Sequence, residues 1–521
     1  MKILFIYYET PDEPDSFPIG VGLLSAILKK NGHQVKGLYV HSNLDNLGEL
    51  EKIFTEVKKS SPQLICYSST SPAFRHIRRI AQYLRKNLQI PAICGGVHPT
   101  LYPEDVLSVE GIDYICVGDG EDVIIEFIEK LELGQDCSAV PGIWTLNHDK
   151  NIVRNRLYPL NKILDSLPWI DYEAFGKPFI RKVTKDGWLR YISSRGCPYN
   201  CSYCHVRLIR EAYSDGIGVP MNKVGYVRFK SVDSCIEEIK HLVQKYDLKV
   251  INFMDDLFCL YRNRTVEFCK AFKREMPSHV GFSIQTHLNH LDEDLINILR
   301  DSRCLRVVVG VESASQRILD LFNRKTGCKK ISENLSLLVR ANFPLGTWTL
   351  NILGSPTETK EEMMETLIIN AKNAVDRVKF NIMVPYPGSE IYKFCKDNDL
   401  FDRNSSEQEF RDRYSSKLKF PAREKAFLEK FFDIGHWYMN LYLPSGVGAY
   451  YEPLVQEIEK IGLGEWELVK PKYRKIDKVL SKKLLLKNKQ HYNFIYQGKV
   501  IGKVIGLQIK NSKTYKVWGN C

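Results

Sequence analysis

Hydrophobic positions in the first 131 residues alternate between two patterns. Short apolar runs of strand type occur at Lys2–Tyr8, Gln34–Val40, Leu64–Ser69, Ala92–Cys94 and Tyr114–Val117. Between and after them, apolar residues recur at three- and four-residue spacing, as in helices with one buried face. These stretches are Gly20–Lys30, Leu50–Lys59, Ala73–Asn87, Pro103–Val109 and Glu121–Leu131. Alternating β/α units of this kind predict a doubly wound parallel sheet, with ligands at the carboxyl ends of its strands. The rhythm is lost over Cys137–Lys185, which reads as a linker, and resumes at Arg190.

Strand-like runs then recur at Arg190–Ser194, Val250–Met254, Gly281–Thr286, Leu305–Val311, Thr347–Leu353 and Val378–Val384. Helical patterns fill the gaps at Val232–Tyr246, Arg262–Met276, Glu293–Leu299 and Lys360–Ala374. Parallel units in that number predict a partial (β/α)6 TIM-type barrel, whose chemistry would sit at the C-terminal mouth. Beyond residue 395 the pattern changes to an aromatic-rich helix, Glu424–Leu441, a basic helical piece and a hairpin within Tyr492–Ile509. The expected fold is therefore α/β: a Rossmann-like domain over 1–136, a linker over 137–185, a barrel over 186–395 and a small α+β region over 396–521.

Composition narrows the class. A chain of 521 residues has room for about three domains. No run of eighteen apolar residues occurs, so no segment is expected to span a membrane. The N-terminal apolar run meets the acidic loop Glu9–Asp15 rather than a cleavage site, so it reads as a strand and not a secretion signal. Fourteen cysteines without such a signal argue for a reducing cytoplasm rather than a disulfide framework. Scattered ones such as Cys66, Cys94, Cys116 and Cys235 read as small buried side chains. The net charge of +12 resides entirely in Pro471–Cys521, where thirteen Lys or Arg face the single acid Asp477. Such an excess predicts a docking face for an acidic partner or else a solvated surface.

One loop carries most of the chemistry. Directly after the strand Arg190–Ser194 comes Gly196-Cys197-Pro198-Tyr199-Asn200-Cys201-Ser202-Tyr203-Cys204. Three thiolates at x3 and x2 spacing can take three corners of a 4Fe–4S cluster and leave one iron open. Two other readings compete. Cys201-Ser202-Tyr203-Cys204-His205 also spells the CxxCH pattern of c-type haem attachment, which would require export. A zinc site using His205 would require adjacent Cys204 and His205 to share one tetrahedral ion.

The loop C-x3-C-x-aromatic-C resembles the radical S-adenosylmethionine (SAM) superfamily, over residues 190 to 395. The resemblance implies that Cys197, Cys201 and Cys204 hold the cluster and that Tyr203 lies against the adenine of SAM. It places Asp255 and Asp256 (second strand end), Glu312 (fourth) and Gly354 (fifth) on SAM, with Val384-Pro385-Tyr386-Pro387-Gly388-Ser389 as a sixth-strand loop. The first domain resembles the cobalamin-binding domain that precedes the barrel in one branch of that superfamily. The match lies in Phe17–Leu24 through His33, Ser68-Ser69-Thr70, Gly95-Gly96-Val97-His98 and Gly118-Asp119-Gly120-Glu121. By resemblance, Ser69, Thr70, Gly95, Gly96, His98, Gly118, Gly120 and Glu121 would contact cobalamin. The D-x-H-x-x-G signature is missing, so no histidine from that motif would reach cobalt. A dinucleotide site is disfavoured because Gly20-Val21-Gly22 lacks the third glycine of the fingerprint.

The implied activity is cobalamin-dependent radical SAM chemistry, with methylation of an unactivated carbon or a phosphorus centre as the leading expectation. Radical cyclisation or ring rearrangement, and RNA modification with the basic tail on phosphates, are the alternatives. The implied partners are a small-molecule or peptide substrate and an electron donor such as flavodoxin or ferredoxin.

Overall fold

The computed structural model describes residues 1–10, 16–42, 44–402, 416–495 and 500–504. The chain divides into two compact units: Met1–Pro198 with His205–Leu248, and Tyr199–Cys204 with Lys249–Cys521. These limits differ from the expected boundaries, since the stretch up to Leu248 packs with the first unit.

The first unit is built on strands β1 (Lys2–Tyr8), β2 (Gln34–Val40), β3 (Leu64–Ser68), β4 (Ala92–Gly95) and β5 (Tyr114–Cys116). They are parallel in the order β2-β1-β3-β4-β5. Alternate residues of β1 enter different cores. Leu4, Ile6 and Tyr8 pack with Leu50, Ile53 and Val57 of helix Leu47–Ser60 and with Phe74 and Ile77 of helix Ser71–Asn87. Ile3 and Phe5 pack with Val21 and Ile27 of helix Ile19–Lys30 and with Phe127 of helix Val123–Glu132. Burial of both faces explains why these strands read as near-continuous apolar runs.

Two strands lie inside the expected linker. β6 (Ile143–Leu146) and β7 (Ile152–Val153) extend the sheet antiparallel beyond β5. The linker is also tied down by Glu238, which is fully buried and accepts from Ile170 N at 3.1 Å, Tyr191 Oη at 2.9 Å and Lys230 Nζ at 2.5 Å. The expected strand at Arg190–Ser194 is broken into β8 (Trp188–Tyr191) and β9 (Ser194–Arg195), and β9 pairs with β10 (Arg228–Phe229).

In the second unit β11 (Val250–Phe253), β12 (Gly281–Thr286), β13 (Cys304–Glu312), β14 (Thr347–Leu353) and β15 (Arg377–Ile382) are parallel in sequence order. A hairpin of β16 (His491–Ile495) and β17 (Val500–Val504) adds antiparallel to β15 and covers that edge. Helix Ala422–Asn440 anchors the hairpin: the Asn440 amide donates to Tyr492 O at 3.0 Å and accepts from Tyr492 N at 2.7 Å. The part of the expected hairpin beyond residue 504 lies outside the described residues. The basic segment forms helix Leu463–Leu486, which buries Trp466, Tyr473 and Leu484 and exposes Lys472, Arg474, Lys475, Lys478, Lys482 and Lys483. Among the described residues no helix is long and apolar enough to cross a membrane.

The turn after β14 has a buried acid. Helix Lys360–Lys372 starts from Thr359, which forms a capping box with Glu362, so Glu358 takes no part in the cap. Glu358 is 1% exposed, and its Oε2 accepts from Ser355 N at 2.8 Å. Burial pushes its carboxyl up to about 8, only partly opposed by the hydrogen bonds it accepts.

Two expectations follow. A side chain at Gly96, where φ is +108°, would stand 2.7 Å from Ser69 O, whereas Gly20 has open space around it. Gly96→Ala is therefore expected to cost about 1–3 kcal/mol in urea unfolding, with Gly20→Ala showing no loss. Glu358 holds its proton only in the folded state between its ordinary value of 4.5 and about 8. Stability should fall as pH rises through that window, and be level above it. Glu358→Gln removes the loss, so the variant should gain on the order of 1–3 kcal/mol over the parent between pH 5 and pH 8, read from paired denaturation curves.

Candidate functional site

The cysteine loop starts where β9 ends. A Cβ at Gly196 would lie 2.5 Å from Tyr226 O, so the chain can turn there only with glycine. Arg210, on helix His205–Ile217, donates to Pro198 O at 3.0 Å and Cys197 O at 3.3 Å. The loop then passes into the second unit at Tyr199. There the Tyr199 ring stacks on His287 at 4.7 Å, and its hydroxyl lies 3.0 Å from His290 Nε2. Ser202 N donates to Phe322 O at 3.0 Å, the Ser202 hydroxyl to Leu321 O at 2.7 Å, and the Asn323 amide to Asn200 O at 3.0 Å. The backbone of the loop is thus pinned between the exit of β12 and the turn after helix Gln316–Leu321.

Tyr203, Cys201, Glu312 and Arg324 form one group. Arg324 donates to Gly310 O at 2.5 Å and Tyr203 Oη at 3.2 Å, and its Nη2 lies 3.9 Å from Glu312 Oε1. Tyr203 also meets Phe322 edge-on at 4.7 Å. Burial raises the Glu312 carboxyl and the Cys201 thiol, and the Arg324 cation opposes both. Glu312 has φ +65°, an uncommon conformation for a residue with a side chain. A Cβ at Gly310 would meet the Glu312 carboxylate and lie 2.9 Å from Arg324 Nη2, so a side chain there would push both side-chain ends aside. Of the remaining expected SAM contacts, Asp255 is fully buried and Asp256 exposed at the exit of β11, while Gly354 follows β14.

Arg324, Tyr199, His287 and His290 were not foreseen. Tyr199 stands inside the cysteine motif but has no role there that spacing reveals; no motif marks the other three, and only the folded sheet brings them to the loop.

In the first unit, the strand order β2-β1-β3-β4-β5 reverses between β1 and β3, the switch point where open α/β sheets bind ligands. Ser69 is buried, Thr70 and Gly96 are exposed, and Gly95, Gly118, Gly120 and Glu121 are half-buried at the ends of β3, β4 and β5. A side chain at Gly118, where φ is +93°, would run into the Tyr213 hydroxyl at 2.5 Å. His98 turns inward: it is 4% exposed, stacks on Phe74 at 4.1 Å, and places its ring nitrogens 3.1 Å from Ser71 Oγ and 3.2 Å from Asp105 Oδ2. Glu121 accepts from Arg195 Nη2 at 2.5 Å.

The donor chemistry fits the implied cofactors. Three of the thirteen described cysteines sit on one loop as soft ligands for iron. Among the described residues no three His, Cys, Asp or Glu form a single-ion site. The glycine-edged switch point offers exposed backbone to a large flat ligand.

Comparison with known proteins agrees. Residues 191–368 match the radical SAM superfamily, and residues 12–128 match the B12 binding domain. An uncharacterized methyltransferase of Pyrococcus horikoshii is 26% identical over 396 residues, covering 74% of this chain and 79% of its own length. An anaerobic magnesium-protoporphyrin IX monomethyl ester cyclase of Rubrivivax gelatinosus is 24% identical over 401 residues, covering 74% and 67%. The solved structure of OxsB, a cobalamin-dependent S-adenosylmethionine radical enzyme with aqua-cobalamin and S-adenosylmethionine bound, superposes with a TM-score of 0.64 at 14% identity, covering 94% of this chain and 75% of that one. The chain thus carries a B12 binding domain followed by a radical SAM domain, and it shares the fold of a cobalamin-dependent S-adenosylmethionine radical enzyme.

Proposed function

We propose that the protein transfers a methyl group to an unactivated carbon or a phosphorus centre of a small-molecule or peptide substrate. The observation that carries this reading is the three-cysteine loop Cys197–Cys204 in one chain with a glycine-edged 2-1-3-4-5 sheet. The Pyrococcus relative, named as a methyltransferase, supports it. When bound, the cluster supplies the electron that cleaves SAM to a 5′-deoxyadenosyl radical, and the corrinoid carries the methyl group.

The chain's own residues bind, orient and exclude water. Cys197, Cys201 and Cys204 hold the iron. Tyr203 lies on the adenine, with Arg324 fixing its hydroxyl. Glu312, Asp255, Asp256 and the Gly354 turn receive the polar parts of SAM. Arg324 opposes the rise that burial imposes on the Glu312 carboxyl, because a cation beside it offsets part of the cost of desolvation. In the first domain Ser69, Thr70, Gly95, Gly96, Gly118, Gly120 and Glu121 border the corrinoid, and His98 shapes that border from inside. The reductant is a small electron-transfer protein such as flavodoxin or ferredoxin, and the protein works in the cytoplasm. The exposed basic face of helix Leu463–Leu486 is offered to an acidic partner.

A second reading, radical cyclisation, is favoured by the Rubrivivax relative, which is named as a cyclase. Product mass separates the two. Extracts of the native cell serve as the substrate source for anaerobically reconstituted, reduced protein. The proposal expects a product heavier by one CH2, and a product that has instead lost hydrogens overturns it in favour of cyclisation. Cys197→Ala, Cys201→Ala and Cys204→Ala should each lower 5′-deoxyadenosine formation to background. Full SAM cleavage by the triple variant would contradict the ligand assignment.

A further inference from the structure

The fifth-strand loop of the B12-binding domain is held by ion pairs to the peptide that leads into the cysteine loop. Arg195 donates to Asp119 Oδ2 at 3.0 Å and to Glu121 Oε1 at 2.5 Å. Arg228, opposite Arg195 in the β9–β10 pair, lies 3.0 Å from the same Asp119 oxygen. Asp119 N in turn donates to Tyr213 Oη. The side chains of Arg228, Glu121 and Arg195 are 3%, 10% and 21% exposed, so water screens these charges far less than it would at the surface. Arg195 stands two residues before Cys197, with only the glycine turn at Gly196 between them. All of these residues belong to the first unit.

A displacement of the Gly118–Glu121 loop therefore pulls on Arg195, and through the tight Gly196 turn on Cys197. The converse holds equally, because coupling between two binding equilibria is reciprocal. We propose that Arg195 is a positioning residue through which a corrinoid on the Gly118–Glu121 loop and a cluster on Cys197 each tighten the binding of the other. The proposal rests on the reading of Cys197 as a cluster ligand and of that loop as a corrinoid border.

The test measures hydroxocobalamin affinity by anaerobic equilibrium dialysis. Full-length protein is compared with and without its reconstituted, oxidised cluster. The parent protein should bind hydroxocobalamin about five-fold or more tightly when the cluster is present, at the lower end of ordinary allosteric coupling. Arg195→Gln should bring that ratio close to one while retaining the iron content of the parent. Asp119→Asn, made from the other side of the ion pair, should do the same and serves where Arg195→Gln fails to fold. Arg154→Gln, which removes an exposed ion pair to Glu104 in the same unit, should leave the ratio as in the parent. A parent ratio of one with both cofactors bound overturns the coupling, as does a parent-like ratio in folded Arg195→Gln or Asp119→Asn. A parent protein that takes up no iron or no corrinoid overturns the cofactor reading itself, and the coupling with it.

Discussion

Parallel strands deliver all their carboxyl ends to one edge of a sheet, and the chemistry of this protein hangs on that constraint. In the first unit it gathers Ser69, Gly96 and Gly118 at the ends of β3, β4 and β5, around the point where the strand order reverses. In the second it sets Asp255, His287, Glu312 and Gly354 at the ends of β11, β12, β13 and β14. Apolar burial on the faces of the sheets makes these edges rigid, since a parallel sheet depends on both faces being covered. The polar residues at the edge are therefore placed by the packing of Leu4, Ile6, Phe5 and their partners, far from any ligand.

Electrostatics then refines what topology has gathered. Glu312 would lose much of its charge in its buried position if it stood alone, because desolvation disfavours the ionised carboxyl. Arg324 opposes that tendency and, with its other nitrogen, orients Tyr203 from the cysteine loop. Glu358 is driven up to about 8 by burial, with the neighbouring Glu362 carboxylate adding to the rise. The two acids lie at the exits of neighbouring strands, β13 and β14. One arginine thus serves two sequence-distant groups, and the Arg195–Asp119–Glu121 network follows the same rule in the first unit.

Local signals in the sequence were legible in proportion to their regularity. Strands β1, β2, β12 and β14 and helix Val232–Tyr246 have the limits read from apolar spacing alone. The cysteine loop and the Gly95-Gly96 and Gly118–Gly120 turns were visible because glycine and cysteine at fixed spacing have few other uses. β6 and β7 were missed because strands of four and two residues are too short to show a period. Helix His205–Ile217 was missed because its buried positions, Val206, Arg210 and Tyr213, include an arginine and form no apolar stripe. Arg195 and Arg324 were illegible for a further reason. An ion pair across 74 residues, or a hydrogen bond across 121, has no local period and exists only after the sheets have formed. His98 shows the reverse case, since its place after two glycines drew attention while its ring serves the interior.

The central claim is that one chain carries both an iron–sulfur cluster and a corrinoid. The most direct test is the metal content of full-length protein, reconstituted anaerobically with iron, sulfide and hydroxocobalamin and then freed of unbound material by gel filtration. The account predicts iron and cobalt co-eluting with the protein at a ratio of about four to one, because a cubane cluster holds four irons and the switch point takes one corrinoid. Iron without cobalt would contradict the account by leaving the first domain a scaffold only, and cobalt without iron would contradict the assignment of the cysteine loop.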